Sequence, residues 1–312
     1  TNVSGHYCIS GVPAAAASDW FGQAVADGYD PVTTAAFGLV ANVVTFQDFE
    51  LQKTSATYCF SDTFDTDTGW VASAAVNTVQ WHRRKNSDVL VNSAIPGCVV
   101  LPPDESCTPD PANWNDPCAI CAAASSTACI PQAGALPRAV AGQYAAWFGS
   151  EQMGNYLGAG GVCEKGSGGV SQAASIGGTY TSPQIPIAKD AENVRVVFWY
   201  WYEVESVHVG AGYDIMSVSV SSNGNKWLPI GTLAPELPVS GAQDHSWSSS
   251  GYNKAPKWAL ANMALPPDVK TIIQGTGKMF VRFTFESTDG AFNGFRGWLV
   301  DIVRVVGNGC GG

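Results

Sequence analysis

The alternation of apolar and polar residues along this chain is strongest in its second half. Residues 193–206 are dense in valine and aromatic residues, and residues 279–286 alternate polar and apolar side chains at nearly every position. Because successive side chains of a strand point to opposite faces of a sheet, a period of two predicts β-strands. Asn223-Gly224 predicts a tight hairpin turn, since this pair favours primed turns. Further strands are predicted over residues 213–222, 227–230 and 297–306.

Helical periodicity is almost absent from the sequence. Residues 254–264 are its best example, but this stretch is short and contains Pro256. Many short strands, separated by some of the 34 glycines and 18 prolines, are typical of a sandwich or jelly roll. We therefore predict an all-β fold with a jelly-roll β-sandwich over residues 59–309. Residues 1–58, rich in alanine, valine and glycine, are predicted to form a small N-terminal β segment or subdomain.

The cysteine content indicates an oxidising compartment. Five of nine cysteines lie between positions 98 and 129, inside a stretch, residues 96–138, that has eight prolines and little periodicity. A zinc site would need four ligands, and Cys118-x-x-Cys121 has no second such pair and no histidine near it. We therefore interpret residues 96–138 as a disulfide-rich insertion in a secreted protein. Because nine is odd, one thiol is free or pairs with another chain. The candidates are Cys8, Cys59, Cys98, Cys107, Cys118, Cys121, Cys129, Cys163 and Cys310.

The charge distribution argues against nucleic acid as a partner. The chain has 16 basic and 26 acidic residues, a formal net charge of −10, and its basic residues are dispersed. The densest basic run, residues 82–85, is too short for a cationic face, and we interpret it as the solvated end of a strand. No apolar run approaches the roughly 18 residues of a membrane span, so none is expected. The chain begins at Thr1, as expected of a secreted protein after removal of its leader.

Several motifs resemble those of a family of secreted jelly-roll modules. The chain is similar to MAM domains and to the related modules of bacterial secreted proteins, including peptidases of the immune-inhibitor-A type. The resemblance covers about residues 59–307, interrupted by the insertion, and it implies a jelly roll that binds glycans, other proteins or neighbouring copies without catalysis. The motifs are Cys59-Phe60, Gly69-Trp70, Ala146-Trp147-Phe148-Gly149, Tyr180-Thr181-Ser182-Pro183, Phe198-Trp199-Tyr200-Trp201-Tyr202-Glu203, Tyr213-Asp214-Ile215-Met216 and Asn293-Gly294-Phe295-Arg296-Gly297-Trp298-Leu299-Val300-Asp301.

The same resemblance implies one structural Ca²⁺ where the first and last strands meet. Here the ion would draw on Asp62, Asp65 or Asp67 near the first strand and on Asp301 in the last. Calcium prefers several oxygen ligands, and the three clustered aspartates supply carboxylates beside the flexible Gly69. The alternative is an acidic turn whose aspartates cap their own backbone.

The aromatic run within residues 198–203 must cover two faces of its strand. Trp199 and Trp201 share one face, and Tyr200 and Tyr202 share the other. One face belongs to the core. The other needs a cover, which could be the N-terminal segment, the insertion, a partner chain or a sugar.

Three further aromatic residues are the candidates for ligand binding. Trp247, Tyr252 and Trp258 lie in or beside a loop rich in serine and glycine. Indole and phenol rings stack well on the apolar faces of sugars, so these residues are our predicted glycan site. The alternative is that they anchor the loop to the fold.

The motifs of common hydrolases and nucleotide-binding proteins are missing. The sequence has no HExxH, no G-x-S-x-G and no G-x-x-x-x-G-K-[ST], and its four histidines lack a partner spacing. Glu203 and Glu205 would share a strand face, which would allow a carboxylate pair for glycoside hydrolysis, although a solvated strand end is the commoner arrangement. We therefore predict that the chain is not an enzyme.

The main hypothesis is a secreted adhesion or binding module that recognises glycans or proteins at a cell surface. A rival is a subunit that binds copies of itself in an extracellular filament, sheath or surface layer, which the low charge and the odd cysteine favour. We expect Cys310, in the glycine-rich tail, to bond with Cys59 or Cys8. A third hypothesis is an accessory domain of a secreted hydrolase.

Overall fold

The computed structural model divides the chain into two compact units, Thr1–Ser55 and Ala56–Gly312. It describes residues 15–20, 23–24, 29, 32–33, 37–40, 43–51, 57–73, 76, 78–86, 99–101, 129–131, 136–151, 155–156, 162–164, 169–171, 175–205, 214–233, 246–248, 258–288, 290, 293 and 296–310. In the first unit β1 pairs with β4 and β2 with β3, both antiparallel. These strands are β1 (Ala15–Trp20), β2 (Gln23–Ala24), β3 (Val32–Thr33) and β4 (Phe37–Leu39).

The second unit is built almost entirely of strands. In chain order its elements are β5 (Thr57–Asp62), β6 (Val71–Ala72), β7 (Gln80–Lys85), β8 (Val99–Leu101), β9 (Cys129–Pro131), β10 (Tyr144–Gly149), β11 (Val162–Glu164), β12 (Gly169–Ser171), β13 (Gly177–Thr181), β14 (Ile185–Pro186), β15 (Glu192–Glu205), β16 (Asp214–Ser221), β17 (Leu228–Leu233), β18 (Ser246–Ser248), β19 (Ala259–Ala264), α1 (Pro267–Thr276), β20 (Lys278–Ser287) and β21 (Gly297–Asn308). No helix in the described part of the chain is long and apolar enough to cross a membrane.

Two antiparallel sheets form the body of this unit. The larger sheet has the order β18-β15-β21-β10-β7, with β19 also paired to β15 and β5 paired to β21. The smaller sheet has the order β17-β16-β20-β13-β6, with β14 paired to β20. Because β5 lies beside β21, the first and last strands of this unit are neighbours.

The core lies between the sheets and is dominated by aromatic rings. Phe148 and Trp298 of the larger sheet and Phe283 and Phe285 of the smaller one are fully buried there. Phe148 stacks on Phe285 at 4.5 Å, and Phe283 meets Trp298 edge-on at 5.6 Å. Such pairs contribute about 0.5–1.5 kcal/mol each beyond their burial. The predicted all-β sandwich is confirmed.

Residues 254–264, the stretch with the best helical periodicity, are not helical where the structure describes them. The second half of this stretch is strand β19, which pairs with β15, and the helix α1 follows it. Helix α1 buries Val269 and Ile273, which share a face because they are four residues apart. It ends at Gly277, whose φ of 67° and N–H bond to the Ile273 carbonyl are a left-handed cap. Pro266 precedes the helix and Pro267 is its first residue. The helix is hard to recognise in the sequence because proline is usually read as a helix breaker, although it is favoured in the first turn.

Two local expectations also need correction. The turn at Asn223-Gly224 belongs to a longer loop, residues 222–227, because the Ser221 hydroxyl accepts the Gly224 N–H and thus organises the bend. The basic run in β7 is not a solvated strand end: Arg84 is buried, and Arg83 lies over the ring of Tyr144 at 3.7 Å. Within the insertion the structure describes the parallel pair β8 and β9 and the residues from 136 onward.

Candidate functional site

A disulfide links the ends of two neighbouring strands of the larger sheet. Cys59 in β5 bonds to Cys310 just after β21, with 4.5 Å between their Cα atoms. Cys59, rather than Cys8, is therefore the partner of Cys310. The remaining cysteine predictions fall on residues whose side chains lie outside the described part: Cys8, Cys98, Cys107, Cys118, Cys121, Cys129 and Cys163.

The aspartates of the loop after β5 act as hydrogen-bond acceptors for their own segment. Asp62 is buried and accepts the Phe64 N–H at 2.7 Å, the Trp70 indole N–H at 2.8 Å and the Thr68 hydroxyl. Asp67 accepts the N–H of Gly69 at 3.0 Å. This is the arrangement expected of an acidic turn.

Asp65 and Asp301 instead hold a second segment against the sheet. We name residues 136–143 the covering segment. Asp301, fully buried in β21, accepts the Val140 N–H at 2.6 Å and the Ala141 N–H at 3.2 Å, and Asp65 accepts the Gln143 N–H at 2.7 Å. Burial raises the pKa of Asp301 to about 7, the nearby charge of Asp65 adds to this, and the N–H groups oppose it.

These carboxylates already have partners, and the donors are N–H and O–H groups. In the described part of the chain no three His, Cys, Asp or Glu side chains come together to hold a metal ion. Arg83 also donates a hydrogen bond to the loop, from its Nη2 to the Asp65 carbonyl oxygen at 2.6 Å. Calcium at Asp62, Asp65, Asp67 and Asp301 therefore stays a prediction.

The covering segment also hides the second aromatic face of β15. Trp201, Trp147 and Leu299 are fully buried on the outer face of the larger sheet, beneath Leu136 and Trp258. The other face, with Phe198, Tyr200 and Tyr202, packs into the core between the sheets. The end of the insertion is thus the cover that the sequence required.

Trp258, one of the three predicted glycan-binding residues, is tied to the covering segment. Its indole N–H donates to the Arg138 carbonyl at 2.8 Å, and its ring packs against the cluster around Trp201. Trp247 lies in β18, opposite Val204, with its side chain outside the description, and Tyr252 is not described. A glycan site at these residues stays a prediction.

The predicted pair of solvated glutamates was wrong for Glu203. Its carboxylate is fully buried and bonds to Arg296 through both oxygens, with 3.0 Å between Nε and Oε1. The guanidinium lies 4.9 Å from the ring of Trp201, which packs against the pair. The side chain of Glu205 is outside the described part. Glu203 therefore has the surroundings of a structural ion pair.

The outer face of the smaller sheet carries a patch that sequence reasoning missed. We name it the hydroxyl face. The register of the strands places its residues side by side in rows across the sheet. Thr284 of β20 lies opposite Thr179 of β13 on one side and opposite Ser217 of β16 on the other. Ser217 in turn lies opposite Thr232 of β17. Among the described residues, none of these four hydroxyls, nor that of Ser219, bonds to another protein group. The hydroxyl face comprises Thr179, Thr181, Ser217, Ser219, Thr232 and Thr284.

Arg282 lies at the centre of the neighbouring row, opposite Thr181 and Ser219. Its Nε donates to the Thr181 hydroxyl at 3.0 Å, and its guanidinium lies 3.6 Å from the centre of the Trp227 ring. Burial lowers the pKa of this guanidinium. The alternation in β20 already placed Arg282 and Thr284 on one face. Recognising the patch required the register of four strands, which the sequence does not reveal.

Comparison with known proteins leaves the family open. No family model matches the chain, and no curated protein matches it. Among solved structures it is similar to a "putative glycoside hydrolase" from Bacteroides thetaiotaomicron, with 10% identity and a TM-score of 0.23. That similarity covers 45% of this chain and 53% of the other, so the chain spans about half the length of that protein. At this TM-score the similarity carries no argument about fold or activity.

Proposed function

We propose that the chain is a secreted, non-catalytic module that binds glycans or proteins at a cell surface. The observation that carries the proposal is the hydroxyl face: within the described part of the chain, the hydroxyls of Thr179, Ser217, Ser219, Thr232 and Thr284 bond to no other protein group. The outer face of the larger sheet, in contrast, is covered by the chain itself. Thr232 is exposed, and Thr179, Ser217, Ser219 and Thr284 are half-buried. A sheet presents these groups on a rigid surface, which favours binding because little conformational freedom is lost on contact.

The chemistry of the face suits sugars. A hydroxyl both donates and accepts a hydrogen bond, as each sugar hydroxyl does. The Arg282–Trp227 pair adds a planar cation and an aromatic ring beside the hydroxyls. Two of the buried acids are bound within the fold: Glu203 by Arg296, and Asp214 by the Tyr156 hydroxyl at 2.5 Å.

The Cys59–Cys310 disulfide supports an extracellular location. Disulfides persist in secreted and cell-surface proteins because the cytosol keeps thiols reduced. A cell-surface ligand is the partner that such a location offers.

The test is a binding screen with the full chain. Immobilised neutral and acidic glycans and intact cells would be probed with wild type and with Ser217→Glu/Thr284→Glu, which adds charge to the hydroxyl face without touching the core. We expect saturable binding that this variant abolishes. As a matched control, Thr271→Glu/Thr276→Glu on helix α1 should bind as wild type does. Absence of any saturable ligand, or equal binding by all three proteins, would contradict the proposal.

A structural subunit is the second candidate, and one feature of the first unit favours it. Val43, Val44 and Phe46 are 59%, 75% and 87% exposed. A cluster of exposed apolar side chains often marks a protein–protein contact. Light scattering on non-reduced protein distinguishes the two candidates. Particles much larger than the 32.7 kDa chain, lost in Phe46→Asp, would establish assembly, whereas a monomer would exclude it under those conditions.

A further inference from the structure

We propose that Arg282 and the hydroxyl face form a site for an acidic polysaccharide, in which Arg282 binds the carboxylate or sulfate of a sugar unit. This inference rests on the proposed function, since it assumes that the module binds glycans. It specifies both the charge of the ligand and the residue that recognises it.

Arg282 is the recognition group because its guanidinium retains free donors. Its hydrogen bond within the described part of the chain runs from Nε to Thr181, and no described carboxylate pairs with it. Within the described part of the chain, both terminal amino groups are therefore available. A guanidinium binds a carboxylate or a sulfate through two parallel N–H bonds, which makes such contacts strong and directional.

The neighbours of Arg282 fix it in place before any ligand arrives. The Trp227 ring lies on one side of the guanidinium, and the indole N–H is itself bonded to the Gly224 carbonyl at 3.2 Å. Thr181 holds the Nε position from the adjacent strand. A long side chain normally loses rotamer freedom on binding, and here the fold has already restricted it.

The hydroxyls beside Arg282 extend the site along the sheet. Ser219 lies directly opposite Arg282, and the next row runs from Thr179 through Thr284 and Ser217 to Thr232. Strands in a sheet are about 4.8 Å apart, so four strands span roughly 14 Å. That length suits a chain of a few sugar units, whose hydroxyls would meet the serine and threonine hydroxyls while one acidic group meets Arg282.

The surrounding charges favour an anion at one end of the site. Lys278, on the same face of β20 as Arg282, is exposed, and so is Lys226, which adjoins Trp227. Glu286, also exposed, lies on this face at the far end of the strand. Basic residues gathered at one end of a face attract anions even in a chain whose net charge is −10.

The decisive experiment compares two acidic polymers with a neutral one. Binding of the full chain to polygalacturonate, dextran sulfate and uncharged dextran would be measured by calorimetry for wild type, Arg282→Gln and Arg282→Lys. We expect Arg282→Gln to weaken binding of at least one acidic polymer roughly tenfold or more, because a charge-assisted pair is lost. Arg282→Lys, which keeps the charge but not the paired donors, should recover only part of it. Arg138→Gln, a matched change on an exposed residue over the other sheet, should bind as wild type does.

The outcomes separate this inference from the proposed function. Preference for polygalacturonate assigns the ligand a carboxylate, and preference for dextran sulfate assigns it a sulfate. Equal binding of acidic polymers by wild type and Arg282→Gln would overturn the inference. Binding of neutral glycans only would also overturn it, but would still agree with the proposed function of a binding module. If Arg282→Gln proves less stable than wild type in thermal unfolding, the variant Ser219→Asp is measured in its place. A carboxylate opposite Arg282 should abolish binding of acidic polymers. Unchanged binding by Ser219→Asp would overturn the inference.

Discussion

The carboxyl group of Asp301 is fully buried in the larger sheet, and its pKa is raised to about 7 from an ordinary value of 3.8. The folded state therefore holds a proton that the unfolded chain has already lost between these two pH values. The contribution of Asp301 to the free energy of unfolding is largest below about pH 4, declines as pH rises through 7, and is constant above that.

We expect Asp301→Asn to remove this pH dependence. Urea unfolding of wild type and variant in EDTA at pH 5 and pH 8 measures it. The advantage of wild type over Asp301→Asn should be greater at pH 5, since the charged carboxylate is penalised by burial at pH 8. Asp67→Asn, an exposed aspartate in the loop after β5, is the control and should follow wild type. If wild type exceeds Asp301→Asn in free energy of unfolding by the same amount at both pH values, the raised pKa of Asp301 would be contradicted.

Gly142 in the covering segment cannot carry a side chain without disturbing Asp65. Its φ is +67°, and a Cβ atom there would lie 1.7 Å from Oδ2 of Asp65. We expect Gly142→Ala to lower the free energy of unfolding by about 2–4 kcal/mol, from backbone strain and the clash together. Gly224→Ala separates the two causes, because Gly224 has φ +76° and no atom within 4 Å of the position of a Cβ. Equal losses in the two variants would show that the contact with Asp65 is immaterial.

Among the elements, β15 and the residue just before β21 hold a buried ion pair, Glu203 with Arg296, next to the covered aromatic face. Replacing Glu203 by Gln removes the charge that pairs with the buried Arg296 guanidinium, so we expect a loss of about 3–5 kcal/mol in the free energy of unfolding. The double variant Glu203→Met/Arg296→Met should be more stable than Glu203→Gln, since it removes both charges of the pair. Chemical denaturation of the three proteins checks this, and a double variant less stable than the single one would contradict it.

The candidate calcium site would join two elements, because its four aspartates lie where the first and last strands of the sandwich meet. If they bind Ca²⁺, the ion should stabilise the fold by about 2.7 kcal/mol at a concentration 100 times its Kd. We expect excess calcium to raise the melting temperature above that in EDTA, and Asp65→Asn/Asp67→Asn to remove the effect. Magnesium serves as the control ion. Identical melting curves with calcium and EDTA would refute the calcium site.

The strands could be predicted from the sequence, whereas their partners could not. In β20 the apolar residues Val281, Phe283 and Phe285 recur every second position, and this pattern directly reflects the two faces of a sheet. The hydroxyl face depends instead on which strands lie side by side. The period of two leaves register undetermined when several strands share it. The ion pair of Glu203 and Arg296 joins residues 93 positions apart, which no local pattern reveals.

At the scale of the whole molecule, one covalent bond spans 251 positions of the chain. Breaking it with Cys59→Ser/Cys310→Ser should lower the free energy of unfolding by about 2–5 kcal/mol, because the unfolded chain gains freedom. Denaturation of the oxidised wild type, the reduced wild type and the variant measures this. The reduced wild type should be no more stable than the variant, since reduction also breaks any disulfide of the insertion. If the oxidised protein were no more stable than the variant, the bond would have no structural role.

The position of this bond also determines how the module would respond to being pulled. A force that enters at Tyr58 and leaves beyond Cys310 meets the sulfur–sulfur bond almost at once, since the two cysteines lie side by side at the edge shared by β5 and β21. Tension along the polypeptide would therefore bypass both sheets. The hydroxyl face would keep its shape under load, and the sandwich would act as an inextensible link between whatever is attached on either side of it.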